Sequence, residues 1–196
     1  AASDVYKRQV GDKVVMSYRA CGACPSCAAH APSYCHGFFP LNFGGARADG
    51  STALSCDDGP VHSHFFGQSS FASHVLAHHS NVVKVAADAD LAVLAPFGCG
   101  IQTGAGAVIN ALKVGVGESL AVFGTGSVGL SAVMAAKLVG ANCIIAVDRN
   151  QARLDLARDL GATHAVNAGT DNPVEAIRQI TGGGVAYACL LYTSDA

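Results

Sequence analysis

Four cysteines lie within 15 positions near the start of the chain, at Cys21, Cys24, Cys27 and Cys35. The spacing Cys-x2-Cys-x2-Cys-x7-Cys lets four thiolates converge on one ion, and four thiolates complete the tetrahedral shell of zinc. Because such a shell leaves no position open for water or substrate, the pattern predicts a structural zinc that stabilises a small lobe, residues 21–35. Two alternatives remain open: reduced or disulfide-bonded structural cysteines, and an iron–sulfur cluster.

A glycine-rich turn is the second candidate site. It reads Gly124, Thr125, Gly126, Ser127, Val128 and Gly129, the G-x-G-x-x-G pattern, and it connects an apolar predicted strand to a predicted helix. The first glycine allows a tight turn, the second lets the backbone approach a pyrophosphate, and the third lets helix and sheet pack closely. We expect the amides of Ser127 and Val128 to face the phosphate from the helix N-terminus. A glycine-rich turn without a ligand is the alternative.

An acidic residue, Asp148, ends the next predicted strand, 19 residues after Gly129. A carboxylate at this position can accept both ribose hydroxyls of NAD and repels the 2′-phosphate of NADP. Arg149 and Arg153 follow closely and weaken that preference. The sequence therefore predicts NAD as a cofactor, bound by the glycine-rich turn and by these three residues.

The third candidate is Cys99, between two glycines. A thiol in an apolar stretch most often belongs to a hydrophobic core, so the residues alone leave metal ligation open. The sequence contains neither the H-E-x-x-H pattern of zinc proteases nor the G-x-S-x-G pattern of serine hydrolases.

The two halves of the chain predict different elements to position these residues. The first half, to about residue 97, is rich in turns and predicts short strands at 14–16, 71–76 and 82–85. The second half alternates apolar strands with helices, which predicts a parallel sheet covered on both faces. Its predicted strands are 120–123, 143–147, 162–166 and 185–190, and its predicted helices are 127–139, 151–160 and 173–180. In the helix 151–160, the expected inward residues are Leu154, Leu156, Ala157 and Leu160.

Composition excludes several classes of protein. The 196 residues carry a net charge of −2, with 13% charged and 51% hydrophobic residues, which excludes a disordered chain. This charge provides no basic field for nucleic acid or an anionic membrane. Two uncharged windows, 91–112 and 119–136, reach the length of a spanning helix, but their glycines and polar residues argue against one. Clustered cysteines and a polar start without signal-peptide features predict a reduced, cytoplasmic chain.

In this order, the three motifs resemble the zinc-dependent medium-chain alcohol dehydrogenases, over about residues 10–188. Further matching segments are 10–14 (VGDKV), 65–71 (FFGQSSF), 98–107 (GCGIQTGAGA) and 161–164 (GATH). Residues 39–45 and 65–70 are most similar to bacterial aryl-alcohol (benzyl-alcohol) dehydrogenases.

The resemblance implies an α/β fold in two parts. Residues 10–97 would form a partial GroES-like β domain with the zinc lobe, and residues 98–188 a truncated Rossmann coenzyme-binding domain. In the family, the cysteine that Cys99 matches is a ligand of a catalytic zinc, and the position of Thr103 lies near the nicotinamide. Zinc and NAD are thus the implied cofactors.

The sequence also departs from the family pattern. The family takes a second cysteine and a histidine for the catalytic zinc from a segment before the zinc lobe, and no residue here matches them. We therefore expect the middle half of a subunit, inactive as it stands. Residues 1–9 and 189–196 depart from the pattern too, and are interpreted as non-native tails that resemble translated sequencing adapters.

The implied parent enzyme oxidises a primary alcohol, by resemblance an aryl or benzyl alcohol, to its aldehyde with hydride transfer to NAD. It would act on small molecules as a homodimer or homotetramer, without nucleic acid or membrane partners. Aliphatic alcohols, polyols and the glutathione–formaldehyde adduct are alternative substrates within the family. A zinc-stabilised nucleotide-binding module without catalysis is the alternative from another class.

Overall fold

The computed structural model describes residues 8–190, and the chain divides into two compact units, residues 1–98 and 99–196. This boundary lies one residue beyond the predicted division at 97/98. Most of the two expected tails lies outside the described residues. Of the C-terminal tail, Cys189 and Leu190 are described, and both lie in the last strand of the second unit.

The first unit contains two antiparallel strand pairs. Strand β1 (Val14–Met16) pairs with β4 (Val82–Lys84), close to the predicted positions. Strands β2 (Leu54–Cys56) and β3 (Gly59–Val61) form a hairpin.

The strand predicted at residues 71–76 is wrong, because the structure has bends and coil there. Its apolar side chains find no core, since Phe71 and Leu76 are both exposed. A β-strand forms only by pairing with a neighbouring strand, and an unpaired extended segment has no ladder of hydrogen bonds to hold it. The sequence pattern contains the residue types of a strand but does not show whether a neighbouring strand is present to pair with it.

Short helices complete the first unit, and one buried amide connects two of its segments. The helices are α1 (Pro25–Ala28), α2 (Phe38–Phe43) and α3 (Leu91–Leu94), with 3-10 turns at Pro32–Tyr34, Phe65–Gly67, His79–Asn81 and Ala95–Gly98. Asn42 in α2 is fully buried. Its side chain accepts a hydrogen bond from the amide of Arg19 (2.7 Å) and donates to the carbonyl of Arg19 (2.8 Å) and to that of Phe38 (2.7 Å). The chain before the four cysteines is thereby joined to the chain after them.

The second unit is built on a parallel four-stranded sheet, which confirms the predicted α/β class. The strands are β5 (Ser119–Phe123), β6 (Cys143–Asp148), β7 (His164–Asn167) and β8 (Tyr187–Leu190), in the order β7-β6-β5-β8. The helices are α4 (Gly100–Gly106), continued by a π-helical turn at Ala107–Leu112, then α5 (Ser127–Leu138), α6 (Gln151–Leu160) and α7 (Pro173–Thr181). In sequence order this is 3-2-1-4, the arrangement of the first half of a doubly wound dinucleotide-binding fold plus one further strand.

Apolar side chains cover both faces of this sheet. On one face, Leu120 and Val122 of β5 pack with residues of α5 and α6. On the other, Ala121 and Ile145 pack with Ile177 of α7. The alternation along β5 follows from the two-residue period of a strand.

Helix α6 corrects one detail of the predicted core. Leu154 and Ala157 are buried and Leu160 is half-buried, as expected, but Leu156 is 45% exposed. Successive residues of an α-helix are about 100° apart, so a residue two positions after Leu154 lies about 200° around the helix and faces away from the sheet.

Within residues 8–190, no single helix is long and apolar enough to span a membrane; the helical stretches Leu91–Gly98 and Gly100–Leu112 pass the length and composition criteria only together, as a pair with a break between them.

The two leucines of α6 provide a matched test of the core. We expect Leu154→Ala to lower the free energy of unfolding by about 3 kcal/mol, because it opens a cavity in a closely packed core. Leu156→Ala makes the same chemical change on an exposed face and should cost less than about 1 kcal/mol. Urea unfolding followed by circular dichroism measures both. Equal losses for the two variants would contradict this placement of α6.

Candidate functional site

The four cysteines of residues 21–35 converge as the spacing predicts. All four Sγ atoms lie within 4.8 Å of one another, and those of Cys21 and Cys27 are 3.9 Å apart. Zinc–sulfur bonds of about 2.3 Å in a tetrahedron place the sulfurs about 3.8 Å apart, so the four thiols fit a zinc ion after a small contraction. Among the residues that the structure describes, they form the one group of three or more His, Cys, Asp or Glu side chains close enough to share a metal.

Backbone geometry positions the sulfurs. Pro25 begins α1, which places Cys24 at its N-cap, and the 3-10 turn at Pro32–Tyr34 ends on the buried Cys35. The amides of Cys21 and Cys24 donate to the sulfurs of Cys35 and Cys21, both at 3.3 Å. Amides aimed at sulfur favour the thiolate, which is the form that binds a metal.

Without a metal, the thiols of Cys24 and Cys27 have very different pKa values. Backbone hydrogen bonds, from His36 first and then Cys27, lower the pKa of Cys24 to about 6. Desolvation, followed by the nearby Cys24, raises the pKa of Cys27 to about 12. One sulfur is thus ready to coordinate at neutral pH, whereas another gives up its proton as the metal binds.

The disulfide alternative does not fit this geometry. All eight cysteines are free, and the 3.9 Å between the Cys21 and Cys27 sulfurs is far longer than a disulfide bond of about 2.05 Å. Four thiolates also suit an iron–sulfur cluster, so the identity of the metal stays a prediction.

The glycine-rich turn has the backbone that its pattern predicts. Gly124 adopts a φ of +88°, a left-handed conformation that favours glycine. A side chain at Gly129 would collide with the carbonyl oxygen of Gly124, so only glycine lets α5 pack this closely on β5. A Cβ at Gly126, in contrast, would meet nothing within 4 Å, which leaves open space beside the turn.

That open space lies at the N-terminus of α5. Gly126 is the N-cap and supplies no side-chain cap, and the first amides of a helix, here those of Ser127 and Val128, have no acceptor within the helix. Free amides and the positive end of the helix dipole attract an anion. The residues therefore fit the pyrophosphate of a dinucleotide.

Asp148 ends β6 beside this turn. Its Oδ2 accepts hydrogen bonds from the amide (2.7 Å) and the hydroxyl (2.8 Å) of Thr125, and its Oδ1 accepts from the amides of Arg149 (2.7 Å) and Asn150 (2.9 Å). Partial burial alone raises the pKa of this carboxyl, but the hydrogen bonds, first from Thr125 and then from Asn150, lower it below its ordinary value overall. Asp148 is therefore a fixed negative charge at neutral pH.

Sequence reasoning did not identify Thr125 as more than a spacer in the motif. Its side chain is fully buried and bonds to the one carboxylate of the site. The available signal was topological, since Thr125 lies just after β5 and Asp148 ends the neighbouring parallel strand β6. The two arginines that follow, Arg149 and Arg153, have exposed side chains.

Cys99 lies at the N-cap of α4 and is exposed. Its carbonyl oxygen accepts hydrogen bonds from the amide (3.0 Å) and the hydroxyl (2.8 Å) of Thr103. Within residues 8–190, Cys99 is not part of any group of three metal-binding side chains. Its role as a zinc ligand, and the place of Thr103 near a nicotinamide, remain predictions.

Most of the chain is similar to known dehydrogenases. Residues 127–192 match the family model of the zinc-binding dehydrogenases. Geraniol dehydrogenase of Castellaniella defragrans is 50% identical over 180 residues, which cover 91% of this chain and 48% of the relative.

Two solved structures are similar to this chain over a comparable part of its length. One is an alcohol dehydrogenase zinc-binding domain protein from Burkholderia ambifaria, with 59% identity and a TM-score of 0.87, matched over 91% of this chain and 49% of that one. The other is benzyl alcohol dehydrogenase from Acinetobacter calcoaceticus, with 52% identity and a TM-score of 0.88, matched over 94% and 49%. The chain thus spans about half the length of these relatives.

The zinc lobe can be tested with a matched pair of cysteine variants. We expect the purified chain to contain about one zinc, and Cys35→Ser to lose it, because a hydroxyl replaces the buried thiolate ligand. Cys56→Ser removes a cysteine from the β2–β3 hairpin and should retain the zinc. Elemental analysis measures the metal, and iron with visible absorption would contradict the zinc assignment in favour of a cluster.

Proposed function

Because this chain is a homologue of the zinc-binding alcohol dehydrogenases, the family that its sequence resembles, we propose that it is part of an NAD-dependent enzyme. It supplies the structural-zinc lobe, residues 21–35, and the coenzyme-binding site formed by residues 124–129 and Asp148, which we call the coenzyme cradle. The whole enzyme would oxidise a primary alcohol to an aldehyde and pass the hydride to NAD. The observation that carries the coenzyme assignment is the open space beside Gly126 at an uncapped helix N-terminus, in the turn whose Thr125 bonds to Asp148.

Each group in the cradle has a defined part in binding. The amides of Ser127 and Val128 would hold the pyrophosphate, and the Asp148 carboxylate would accept the ribose hydroxyls. The fixed negative charge of Asp148 favours NAD over NADP, because the latter carries a phosphate at the ribose 2′ position. Arg149 and Arg153 would lie at the exposed side of this subsite and moderate that preference.

The substrate proposed for the whole enzyme is a benzylic or allylic primary alcohol. The relatives include a benzyl alcohol dehydrogenase and a geraniol dehydrogenase, and in both named alcohols the carbinol carbon is bonded to an sp2 carbon. Oxidation of such an alcohol gives an aldehyde conjugated with the ring or double bond. Aliphatic alcohols, polyols and the glutathione–formaldehyde adduct remain alternatives within the family.

Cys99 is the proposed ligand of a catalytic zinc in the whole enzyme. A bound zinc acts there as a Lewis acid that stabilises the alkoxide of the substrate. Thr103 keeps the backbone at Cys99 in place through its two hydrogen bonds to the Cys99 carbonyl.

The thiol-rich lobe also supports a location for the enzyme. Clustered cysteines in a metal-binding arrangement are typical of a reducing compartment, so we propose the cytoplasm. A homodimer or homotetramer is proposed from the family resemblance alone.

Two glycines provide a matched test of the coenzyme cradle. Gly126 and Gly183 both lie in open space, and neither has a left-handed backbone, so alanine at either position should change the free energy of unfolding by less than about 0.5 kcal/mol. We expect Gly126→Ala to weaken NAD and ADP-ribose binding at least about tenfold, because its methyl group occupies the place of the pyrophosphate. Gly183→Ala should bind as the unaltered chain does.

Isothermal titration calorimetry measures this binding without an intrinsic fluorophore, which suits a chain that has no tryptophan. Because the contacts proposed for the glycine-rich turn and Asp148 lie on the ADP-ribose part of the coenzyme, NAD and ADP-ribose should bind with similar affinity. Failure of the unaltered chain to bind either ligand would contradict the coenzyme proposal.

The 196-residue chain should not turn over an alcohol. The reason is that Cys99 has no second and third ligand among the described residues, and one thiolate does not hold a catalytic zinc. The measurement is NADH absorbance at pH 8 with benzyl alcohol, NAD and added zinc. Zinc-dependent NADH formation would contradict the expected lack of turnover. Coenzyme binding without turnover also fits the alternative of a non-catalytic nucleotide-binding module.

A further inference from the structure

The buried hydroxyl of Thr125 is the feature of the coenzyme cradle that the motif does not account for. The glycines explain the turn and its close packing, but the G-x-G-x-x-G pattern places no requirement on the residue between the first two glycines. In this chain that residue is threonine, its side chain is fully buried, and its hydroxyl donates to Asp148 at 2.8 Å.

The hydrogen bonds on Asp148 are arranged so that each oxygen has separate donors. Oδ2 receives the amide and the hydroxyl of Thr125, and Oδ1 receives the amides of Arg149 and Asn150. The Thr125 hydroxyl is the one side-chain donor among these four contacts. The carboxylate torsion of an aspartate is otherwise broad, so donors on both oxygens restrict the orientation of the group.

We propose that Thr125 is a positioning residue that sets the preference of this site for a free ribose 2′-hydroxyl over a 2′-phosphate. The inference rests on the proposed coenzyme function. The hydroxyl of Thr125 keeps the Asp148 carboxylate turned toward the end of β5, and the same bond favours the ionised form. The fixed negative charge attracts the hydroxyl dipoles of a diol and repels a phosphate dianion.

Loss of the hydroxyl weakens the hold on Asp148 in two ways. Oδ2 keeps one donor, the amide of Thr125, where it had two, so the orientation of the carboxylate is less restricted. Its negative charge also has one donor fewer to stabilise it. Both changes weaken the repulsion of a 2′-phosphate more than they weaken the binding of a plain ribose. The effect of Thr125 should therefore appear in the ratio of two affinities and not only in overall binding.

The test compares ADP-ribose with 2′-phospho-ADP-ribose on the full chain by calorimetry. Thr125→Val removes the hydroxyl with little change of shape, and we expect it to lower the preference for ADP-ribose about tenfold, the scale of one hydrogen bond to a charged group. Thr125→Ser restores the hydroxyl and should keep most of the preference. Thr163→Val is the control, because it removes a hydroxyl bonded to Ile144 of the same sheet without contact to Asp148.

A second measurement needs no ligand. If Thr125 orients the carboxylate, Thr125→Val should accelerate hydrogen exchange of the Arg149 and Asn150 amides, which bond to the other oxygen of Asp148. Thr125→Ser and Thr163→Val should leave these two amides as protected as in the unaltered chain. Should the valine variant fail to fold, Thr125→Ala makes both comparisons with a smaller side chain.

The outcomes separate this proposal from the coenzyme function on which it rests. An unchanged affinity ratio in a folded Thr125→Val chain overturns the selective role of Thr125, even if NAD binds well. If the unaltered chain binds neither ligand, the coenzyme function and the selective role both fail. In that case, hydrogen exchange of the Arg149 and Asn150 amides tests whether Thr125 positions the Asp148 carboxylate. Unchanged exchange in Thr125→Val overturns this positioning role too.

Discussion

The parallel pairing of β5 with β6 is the constraint on which the proposed coenzyme cradle depends. Phe123 lies opposite Val147, and the amide of Gly124 donates to the carbonyl of Val147 at 2.8 Å. The turn and Asp148 therefore leave the sheet side by side. A slip of one residue would turn every side chain of a strand to the other face. Leu120 and Val122 pack in the core on one face and the smaller Ala121 packs on the other, so a slip would disrupt the packing on both faces, and the register fixes the distance from Thr125 to the carboxylate.

Features encoded by local patterns could be predicted from the sequence. The cysteine spacing located the thiol cluster, and apolar runs between glycines located all four strands of the parallel sheet. Features that depend on distant neighbours were missed. Residues 71–76 have the composition of a strand but no partner, and Thr125 gains its importance from a carboxylate 23 residues later in the sequence.

The same distinction explains why Cys99 is harder to interpret than the other candidate residues. The thiol cluster and the glycine-rich turn each gather their chemical groups within a short stretch of chain, so spacing alone is informative. A catalytic metal draws its ligands from separate segments, and a single cysteine at a helix N-cap has no spacing to recognise. Its assignment therefore comes from resemblance to relatives, of which this chain spans about half.

Asn42 gives the thiol cluster a property that its four sulfurs do not provide. By bonding to both backbone groups of Arg19, it closes the cysteine-bearing segment into a loop whose ends are held by a buried amide. Loop closure removes conformational entropy before any metal arrives. The four thiols consequently have a high effective concentration for one another, so that an ion captured by two of them completes its shell without reordering the chain.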